Sequence, residues 1–441
     1  MTEAVALRTA RRRYVTVSVL FWLPLGLAIA PQLLLFTERG MTLAAIAGFF
    51  AAHSLTAVVL ELPTGGLSDV LGRRAILVTA GLLDLAAFTM VSLGTTAWVL
   101  ALGMAVKGAG RALSSGPAEA WYVDTVQAAA GPDADLRTGL ARGSAATSAA
   151  LAVGTLVGGA LPWLLGLGPD PGARLSRATS DLVLPLSVPV LLAAVVDVVL
   201  VVYVLTALPE PPRPPAGLRA VLRGVPATVW SGLRLGGHDV LVRRILLSAG
   251  AAGGALATVE LLSPGRAAAV AGDAETGAVL FAGLACAGFV CSALGSHLAP
   301  LAARVAGGAH AVLISLGAGA CGLLLLAATA PFHGALPLGL AAVGFVLVYL
   351  GLGAAGPNEN DLLHRRVSPA GRATALSVQS LALQLVAGLT GLLVGALPSG
   401  PLPWLLGSAV LAAGALLWIR TGEPAATGAP DPDRTLEAQG S

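Results

Sequence analysis

Long apolar runs constrain this chain more than any other feature of its sequence. Twelve segments of about 20 predominantly apolar residues follow one another, separated by polar connections. A helix of that length crosses the hydrocarbon core of a bilayer, because it satisfies its own backbone hydrogen bonds where no water is present. The chain is therefore predicted to be an all-α membrane protein with twelve transmembrane helices.

We number the predicted spans from 1 to 12 in chain order. They cover Val15–Thr37, Met41–Leu62, Ala75–Thr95, Trp98–Ala120, Ala141–Leu167, Val183–Ala207, Arg244–Pro264, Gly277–Pro300, Ala309–Ala330, Ala335–Gly356, Ala373–Leu397 and Leu402–Ile419.

Composition excludes several classes of protein. Only 11% of the 441 residues are charged, against about a quarter in soluble proteins, which excludes a water-soluble enzyme. A net charge of +3 is too small for nucleic-acid binding by charge alone. The sequence has no Walker A loop, no H-E-x-x-H and no G-x-S-x-G motif. We therefore expect no enzymatic activity, no metal centre, no cofactor and no nucleic-acid partner.

Arginines alternate between the two sides of the predicted bundle. One side carries most of them: Arg8, Arg11, Arg12, Arg13, Arg73, Arg74, Arg137, Arg142, the 213–244 connection, Arg304, Arg365, Arg366 and Arg372. The other side carries Arg39, Arg174, Arg177 and Arg266. The positive-inside rule predicts that both termini are cytoplasmic, in a multi-pass protein of the cell inner membrane.

Short matches recur in order along the chain and indicate a duplicated six-helix unit. Gly116–Glu119 at the end of span 4 resembles Gly356–Glu359 at the end of span 10, and Gly159–Pro162 in span 5 resembles Gly395–Pro398 in span 11. The longest connection, rich in proline and then in arginine, separates the two halves. The sequence thus predicts two pseudo-symmetric bundles of six helices.

These features divide the chain into five predicted regions. They are a cytoplasmic N-terminus (1–14), an N-terminal bundle (15–207), a cytoplasmic linker with a possible amphipathic helix (208–243), a C-terminal bundle (244–420) and a disordered cytoplasmic tail (421–441).

The loop between spans 2 and 3 carries a recognisable pattern. It matches G-x-L-x-D-x-x-G-R-R at Gly65, Leu67, Asp69, Gly72, Arg73 and Arg74. This loop resembles the signature loop of the major facilitator superfamily, although Val70 stands where the family usually has a basic residue. The resemblance implies a conformational latch between the halves, with Asp69 near Arg372 at the start of span 11.

A second resemblance lies in span 5. Gly154, Gly158 and Gly159 are similar to the glycines of the G-P-x-x-G-G motif of the family's antiporters, with Thr155 in place of the proline. In the family that motif bends the helix and seals its interface with span 8. The alternative is ordinary helix packing through small residues, which any bundle uses.

Several charges fall inside predicted spans, where they are costly and usually face a cavity or a partner. Lys107 and Arg111 lie one turn apart near the middle of span 4 and require an anionic neighbour. The candidates are Asp84 on span 3, Asp197 on span 6, Glu119 and a bound substrate. Two interpretations stay open, a substrate or proton site and a structural salt-bridge network.

Three glutamates are further candidates. Glu260 in the outer part of span 7 is a candidate proton site or a snorkelling interfacial residue. Glu119 and Glu359 each follow Gly-Pro at the inner ends of spans 4 and 10, where they are candidate gates or structural helix-end charges.

Three hypotheses of function follow. The first is proton-coupled efflux of a small amphipathic molecule, such as a drug or a secreted natural product, by a monomer whose halves rock about a central site. The second is uptake of an anionic metabolite by proton symport, favoured by Lys107 and Arg111. The third is a membrane sensor or assembly protein without flux. The expected partners are the substrate, protons and the lipid bilayer.

Overall fold

The computed structural model describes residues 3–64, 67–114, 116–131, 134–210, 234, 237, 239–332, 334–367 and 372–419. These residues form helices joined by short connections, and no strand occurs among them. The helices are α1 (Glu3–Ile29), α2 (Pro31–Glu38), α3 (Leu43–Thr64), α4 (Leu67–Leu71), α5 (Arg73–Leu93), α6 (Ala97–Ser114), α7 (Pro117–Ala130), α8 (Arg137–Leu165), α9 (Pro171–Ala178), α10 (Ser187–Ala207), α11 (Val240–Ala271), α12 (Ala274–Ala306), α13 (Gly308–Thr329), α14 (Ala335–Arg366), α15 (Arg372–Ala396) and α16 (Pro401–Leu416).

Ten of the helices in the described part of the chain are long and apolar enough to cross a membrane. Two predicted spans fall outside this set. One is span 4, whose helix α6 has 18 residues that include Lys107 and Arg111. The other is span 12, whose helix α16 is a shorter apolar helix of 16 residues.

Proline divides two of the spans that the sequence predicts as continuous helices. Span 1 is split into α1 and α2 at Ala30, because Pro31 begins the second helix. Span 4 is split into α6 and α7 at Gly116, whose φ of 94° is followed by Pro117. A proline at the first position of a helix lacks an N–H that would have no partner there, so it starts a helix readily. Continuity of these two spans is the part of the prediction that was wrong.

The two halves, α1–α10 and α11–α16, meet along two helix pairs, α3 with α15 and α8 with α12. Glycines allow these pairs to pack closely. A Cβ at Gly159 on α8 would meet the carbonyl of Ala278 and the side chain of Ala282 on α12. A Cβ at Gly395 on α15 would meet Ala47 on α3. Small residues at such crossings let the backbones approach, which is how membrane helices associate.

Apolar residues of both halves share cores at one end of the bundle. We call the end at which α1 begins and α16 ends the terminal face, and the other end the opposite face. Toward the opposite face, Phe36 belongs to a buried cluster that also contains Leu261 and Val394 of the other half. Ala30 is likewise buried with Phe281. The described residues therefore close the bundle toward the opposite face.

At the terminal face the cores of the two halves are separate. Trp121 and Tyr14 belong to a cluster of the N-terminal half alone, and Trp418 to one of the C-terminal half alone. A cavity of about 620 Å³ lies at this face, and its described lining belongs to α1, α3, α5, α6, α7 and α8 of the N-terminal half. Among the described residues, the apolar cores of the two halves thus meet toward the opposite face and stay separate at the terminal face.

Two arginines at the opposite face hold equivalent positions in the two halves. Arg39, after α2, donates to the carbonyl of Ser92 at the end of α5 (3.4 Å). Arg266, in α11, donates to the carbonyls of Leu326 (3.1 Å) and Thr329 (3.0 Å) at the end of α13. In each half, then, a cation from the first span satisfies the carbonyls that end the third span.

Candidate functional site

The cavity at the terminal face is lined by charged, hydroxyl and aromatic side chains. Its charged residues are Arg111, Glu61 and Glu119. Its aromatic wall includes Phe21 and Trp22, whose rings pack edge to face with centroids 5.8 Å apart. A concave site with a few convergent polar groups and an aromatic wall is the form that small-molecule sites take.

Arg111 lies on this cavity wall. The sequence predicts it near the middle of a continuous span 4, but α6 ends at Ser114, so Arg111 lies in the last turn of the helix. Its side chain is exposed, and among the described residues its guanidinium forms no ion pair. The end of α6 carries the negative pole of the helix dipole, which favours a cation at this position.

Lys107, one turn earlier, contacts the interior of the N-terminal half. Its Nζ donates to Oε1 of Gln32 on α2 (3.0 Å) and lies 4.9 Å from the centroid of the Phe88 ring. Nε2 of Gln32 in turn donates to Sδ of Met104 (3.2 Å), and Gln32 is only 4% exposed. The two cations predicted to act together therefore have different surroundings.

Asp84 and Asp197 lie in the same interior region, and both interact electrostatically with Lys107. Asp84 packs against Gly110, where any side chain would collide with its carboxylate. Asp197 is 1% exposed, and its Oδ2 is buried without a hydrogen-bond partner. The predicted neighbourhood of these three charges is present, but the hydrogen-bond partner of Lys107 is Gln32.

Glu260 faces the N-terminal half from α11. Its side chain is exposed, yet its electrostatic partners Arg111, Lys107 and Tyr349 are residues of the bundle interior. A residue exposed at the membrane surface would have no such partners. Glu260 therefore lies within electrostatic reach of Arg111 and Lys107 of the other half, without an ion pair to either among the described residues.

Glu119 and Glu359 occupy repeated motifs but different environments. Glu119 lies in the first turn of α7, exposed on the cavity. Glu359 lies inside the unbroken α14, is 3% exposed, and accepts a hydrogen bond from Ser248 Oγ (2.5 Å). The Gly-Pro sequence breaks span 4 but not span 10, so the pseudo-symmetry of the sequence does not extend to these two carboxylates.

The loop that resembles the family signature is described in part. Gly65 and the side chains of Asp69 and Arg372 lie outside the described residues, so the predicted latch between them stays a prediction. Gly72 is buried with a φ of 99°, a conformation that favours glycine. The glycine in the pattern thus serves the turn into α5.

The two arginines that follow join this loop to the end of the N-terminal half. Nε of Arg73 lies 3.4 Å from Oδ2 of Asp124 in α7. The backbone N–H of Arg74 donates to Oε2 of Glu210 (3.2 Å), and its guanidinium donates to the carbonyl of Leu205 in α10. These contacts tie the starts and ends of α5, α7 and α10 together at the terminal face.

The glycines of span 5 serve two interfaces. Gly154 and Gly158 pack against α1, where a Cβ at either position would meet the backbone of Leu23 or Leu27. Gly159 packs against Ala278 on α12 in the other half. One motif therefore combines packing inside the N-terminal half with closure between the halves.

Two functional candidates were not found from the sequence. Gln32 binds Lys107, and Gln384 on α15 donates to Oε2 of Glu61 on α3 (2.9 Å), which links the two halves. Their signal is a glutamine inside an apolar run, which is weaker than that of a charged residue in the same place because the side chain carries no charge. Among the described residues no cluster of His, Cys, Asp and Glu has the arrangement of a metal site.

Comparisons with known proteins extend this picture. The sequence profile of the Major Facilitator Superfamily matches residues 15–391. No curated protein has a significantly similar sequence. Among solved structures, a mutant of the nucleoside transporter NupG has a TM-score of 0.73 at 14% identity, over 93% of this chain and 98% of that chain.

Two other solved structures are similar over nearly their whole length. The D-xylose-proton symporter has a TM-score of 0.66 at 17% identity, over 95% of this chain and 98% of that chain. A bacterial homologue of the human lysosomal transporter Spinster, inward-facing and unoccupied, has a TM-score of 0.66 at 16% identity, over 95% of each chain. At these identities the likeness establishes the fold.

Proposed function

The chain belongs to the Major Facilitator Superfamily of transporters, and we propose that it exports a small amphipathic molecule from the cell in exchange for protons. Its fold is the one predicted from the sequence, an all-α membrane protein with two pseudo-symmetric bundles of six spans. The proposed cycle is a rocker-switch motion of the two halves about the space between them.

One observation carries this proposal. Glu260 of the C-terminal half lies within electrostatic reach of Arg111 and Lys107 of the N-terminal half. A proton on Glu260 and a cationic group of the substrate compete for the same carboxylate, so binding of one releases the other. This competition is the requirement for exchange.

The distribution of arginines supports export as the direction of transport. The positive-inside rule assigns the terminal face, with its excess of arginine, to the cytoplasm. The open cavity at that face then receives substrate from the cytoplasm. Gly159 closes the opposite face by direct contact with α12, which agrees with the sealing role of the antiporter motif that span 5 resembles.

Uptake by proton symport is the second candidate. The exposed Arg111 guanidinium favours an anionic substrate, and a structure of similar fold is that of a D-xylose-proton symporter. A sensor without flux is the third candidate and rests on no separate structural observation.

Vesicle transport distinguishes the candidates. Everted and right-side-out membrane vesicles that contain the protein receive an imposed pH gradient and a panel of labelled amphipathic compounds. Exchange predicts accumulation in everted vesicles that dissipates the gradient, abolished in E260Q and retained in the control E275Q, whose carboxylate lies at the opposite face. Accumulation with protons in right-side-out vesicles would support symport, and no flux in either orientation would contradict transport.

A further inference from the structure

We propose that Asp84 and Asp197 form a carboxyl pair that holds one proton in the interior of the N-terminal half, as a second proton-binding site of the transport cycle. This pair is distinct from Glu260 and rests on the proposed function, to which it adds a site for the exchanged ion. Three observations support it: the register of two helix contacts, the burial of Asp197 and the number of charges nearby.

Asp84 and Asp197 face each other across the contact between α5 and α10. The two helices run antiparallel, because α5 begins and α10 ends at the terminal face. A Cβ at Gly81 would meet the side chain of Val201 (2.9 Å). Asp84 lies one turn after Gly81 and Asp197 one turn before Val201, so both carboxylates lie on the contacting faces at the same depth. They also interact electrostatically with each other.

Asp84 contacts α6 as well, the helix that carries Lys107. A Cβ at Gly110 would collide with Oδ1 of Asp84, so glycine at this position leaves the room that the carboxylate needs. Lys107 lies one turn before Gly110 on the same helix face. It interacts electrostatically with both Asp84 and Asp197. The pair therefore lies next to one ammonium group.

That ammonium is the main cation near the pair. Lys107 and Arg111 interact electrostatically with Asp84, and Lys107 with Asp197. Arg111 is exposed on the cavity, where the higher dielectric constant weakens its effect. Every residue of α2, α5, α6 and α10 is described.

Other titratable groups on the neighbouring elements lie farther from the pair. Those of α1 and α8 precede Val15 and Gly143. Toward the terminal face lie Arg73 and Arg74 of α5, Glu119, Tyr122 and Asp124 of α7, and Tyr203 of α10. Glu38 ends α2 at the opposite face, and His53 of α3 lies beside Lys107.

Burial determines the protonation state of the pair. Asp197 is 1% exposed, and its Oδ2 has no hydrogen-bond partner. An ionised carboxylate there would lose its hydration without compensation. Two carboxylates that share a site bind a proton between them, because like charges cannot both persist at short range. Since Lys107 balances one negative charge, one bound proton makes the region neutral.

Lys107 also connects the pair to Glu260 of the other half, with which it interacts electrostatically. A cationic group at Glu260 cancels the negative charge that faces Lys107, and the field at the pair becomes more positive. The pair then binds its proton less tightly. Entry of a cationic substrate thus favours release of this proton, in the same sense as the competition at Glu260.

Infrared spectroscopy detects the proton directly, because a protonated carboxyl group has a C=O stretching band that a carboxylate lacks. The full-length protein, synthesised cell-free into nanodiscs, is compared with the same protein made with aspartate carrying carbon-13 in its side-chain carboxyl. We expect a protonated-carboxyl band at neutral pH that the label moves to lower wavenumber, which identifies aspartate in the unmodified chain. The absence of any label-sensitive band at neutral pH would overturn the inference.

Two variants assign the band to the pair. D84N and D197N each leave one carboxylate beside Lys107, which ionises, so each should lose the label-sensitive band. The matched control D181N removes an exposed aspartate at the opposite face and should keep it. Persistence of the band in both D84N and D197N would assign the proton to another aspartate and reject the pair.

The pH at which the band disappears tests the connection to Glu260. K107Q removes a cation, so the proton should be held to higher pH, whereas E260Q removes an anion, so the proton should be lost at lower pH. E275Q, at the opposite face, should cause no shift. Shifts of the same sign in K107Q and E260Q, or no shift in either, would refute this coupling.

The pair and the proposed function fail in different experiments. Proton-linked flux in vesicles without a label-sensitive band would reject the pair and keep the transport mechanism. The band without proton-linked flux in either vesicle orientation would reject the mechanism and keep the pair as a proton-binding site.

Discussion

The two cations of span 4 are expected to have different roles, one in protein stability and the other in ligand binding. Lys107 and Arg111 are one helical turn apart, yet Lys107 is held by Gln32 inside the N-terminal half and Arg111 is exposed on the cavity. A half-buried cation depends on its partners, since removing one member of such a group leaves the others unsatisfied. A cavity cation is available to a ligand. Replacing the cation by glutamine should therefore have different effects at the two positions.

We predict that K107Q lowers stability and that R111Q lowers transport activity. K107Q loses a charge-assisted hydrogen bond and the contact with Phe88, so the unfolding free energy should fall by about 1.5–3 kcal/mol. R111Q should unfold within about 0.5 kcal/mol of the unmodified protein but lose transport. Thermal unfolding in detergent and vesicle flux measure the two effects, and each variant is the control of the other. Full stability of K107Q would contradict its structural role.

Asp239 connects the start of α11 to the end of α14 at the terminal face. Burial opposes its ionisation, but hydrogen bonds from Arg366 (2.5 Å) and from the backbone N–H groups of Val242 and Leu241 outweigh burial and hold the pKa of its carboxyl below the ordinary value. A lowered pKa in the folded state contributes stability above the unfolded pKa of about 3.9, and that stability is lost as pH falls through the folded value.

D239N tests this linkage. Asparagine still caps the helix but loses the charged bond, so we expect the variant to be about 1 kcal/mol less stable at pH 7. The difference from the unmodified protein should disappear as the solution is acidified below the folded-state pKa. The control is D361N, which removes one partner of an exposed pair with Arg365 and should have no measurable effect. A pH-independent difference for D239N would refute the role of the charge.

At the scale of elements, closure of the opposite face depends on the contact between α8 and α12. Gly159 has no room for a side chain against Ala278 and Ala282. Sγ of Cys286 on α12 lies 3.6 Å from the carbonyl of Ala152 on α8, across the same contact. Any change that separates these helices should therefore expose Cys286, which makes this native cysteine a reporter of closure.

G159V should hold the opposite face open. In a background with Cys291 and Cys321 changed to serine, we expect maleimide to label Cys286 severalfold faster in G159V, because valine keeps the helices apart. The control is G283V on α12, a position where a side chain would meet no described atom within 4 Å. Unchanged labelling in G159V would show that the contact does not govern closure.

The arginine contacts at the opposite face are a second element-scale feature. Arg266 satisfies the last carbonyls of α13, so R266Q should destabilise the C-terminal half by about 1–3 kcal/mol in thermal unfolding. R174Q, at an exposed arginine of the same face, is the control and should be neutral. Equal stability of both variants would exclude a structural role for Arg266.

At the scale of the whole molecule, the cavity lies at the face where α1 begins and α16 ends. The cores of the two halves are joined only at the opposite face among the described residues, while Arg73, Arg74 and Arg366 lie at the terminal face. The arginines and the cavity thus coincide at one side, which is what the proposed export from the cytoplasm requires.

Sidedness is directly testable. We predict that a fluorescent reporter that matures only in the cytoplasm will be active when fused at residue 1 or residue 441, and inactive when inserted after Gly168, between α8 and α9. Alkaline phosphatase, active only outside the cytoplasm, should give the reverse pattern. Activity of one reporter at both termini and at the internal site would contradict the proposed topology.

Much of this protein followed from sequence because its strongest signals are local. Span number and the two halves depend on runs of apolar residues and on arginines between them, and each run must satisfy its backbone within itself. Lys107, Arg111 and Glu260 could be selected as candidate site residues for the same reason. A charge within an apolar run is evident from the sequence without knowledge of its neighbours in space.

Tertiary structure decided what those charges contact. Gln32 became the partner of Lys107 through the break at Pro31, Arg111 came to the cavity because α6 ends at Ser114, and Glu119 and Glu359 diverged although their motifs match. These outcomes depend on where helices break and which faces meet, and such contacts join residues up to hundreds of positions apart. Hydrophobic periodicity determines that a helix crosses the membrane, whereas the packing of all its neighbours determines which of its side chains reach the cavity.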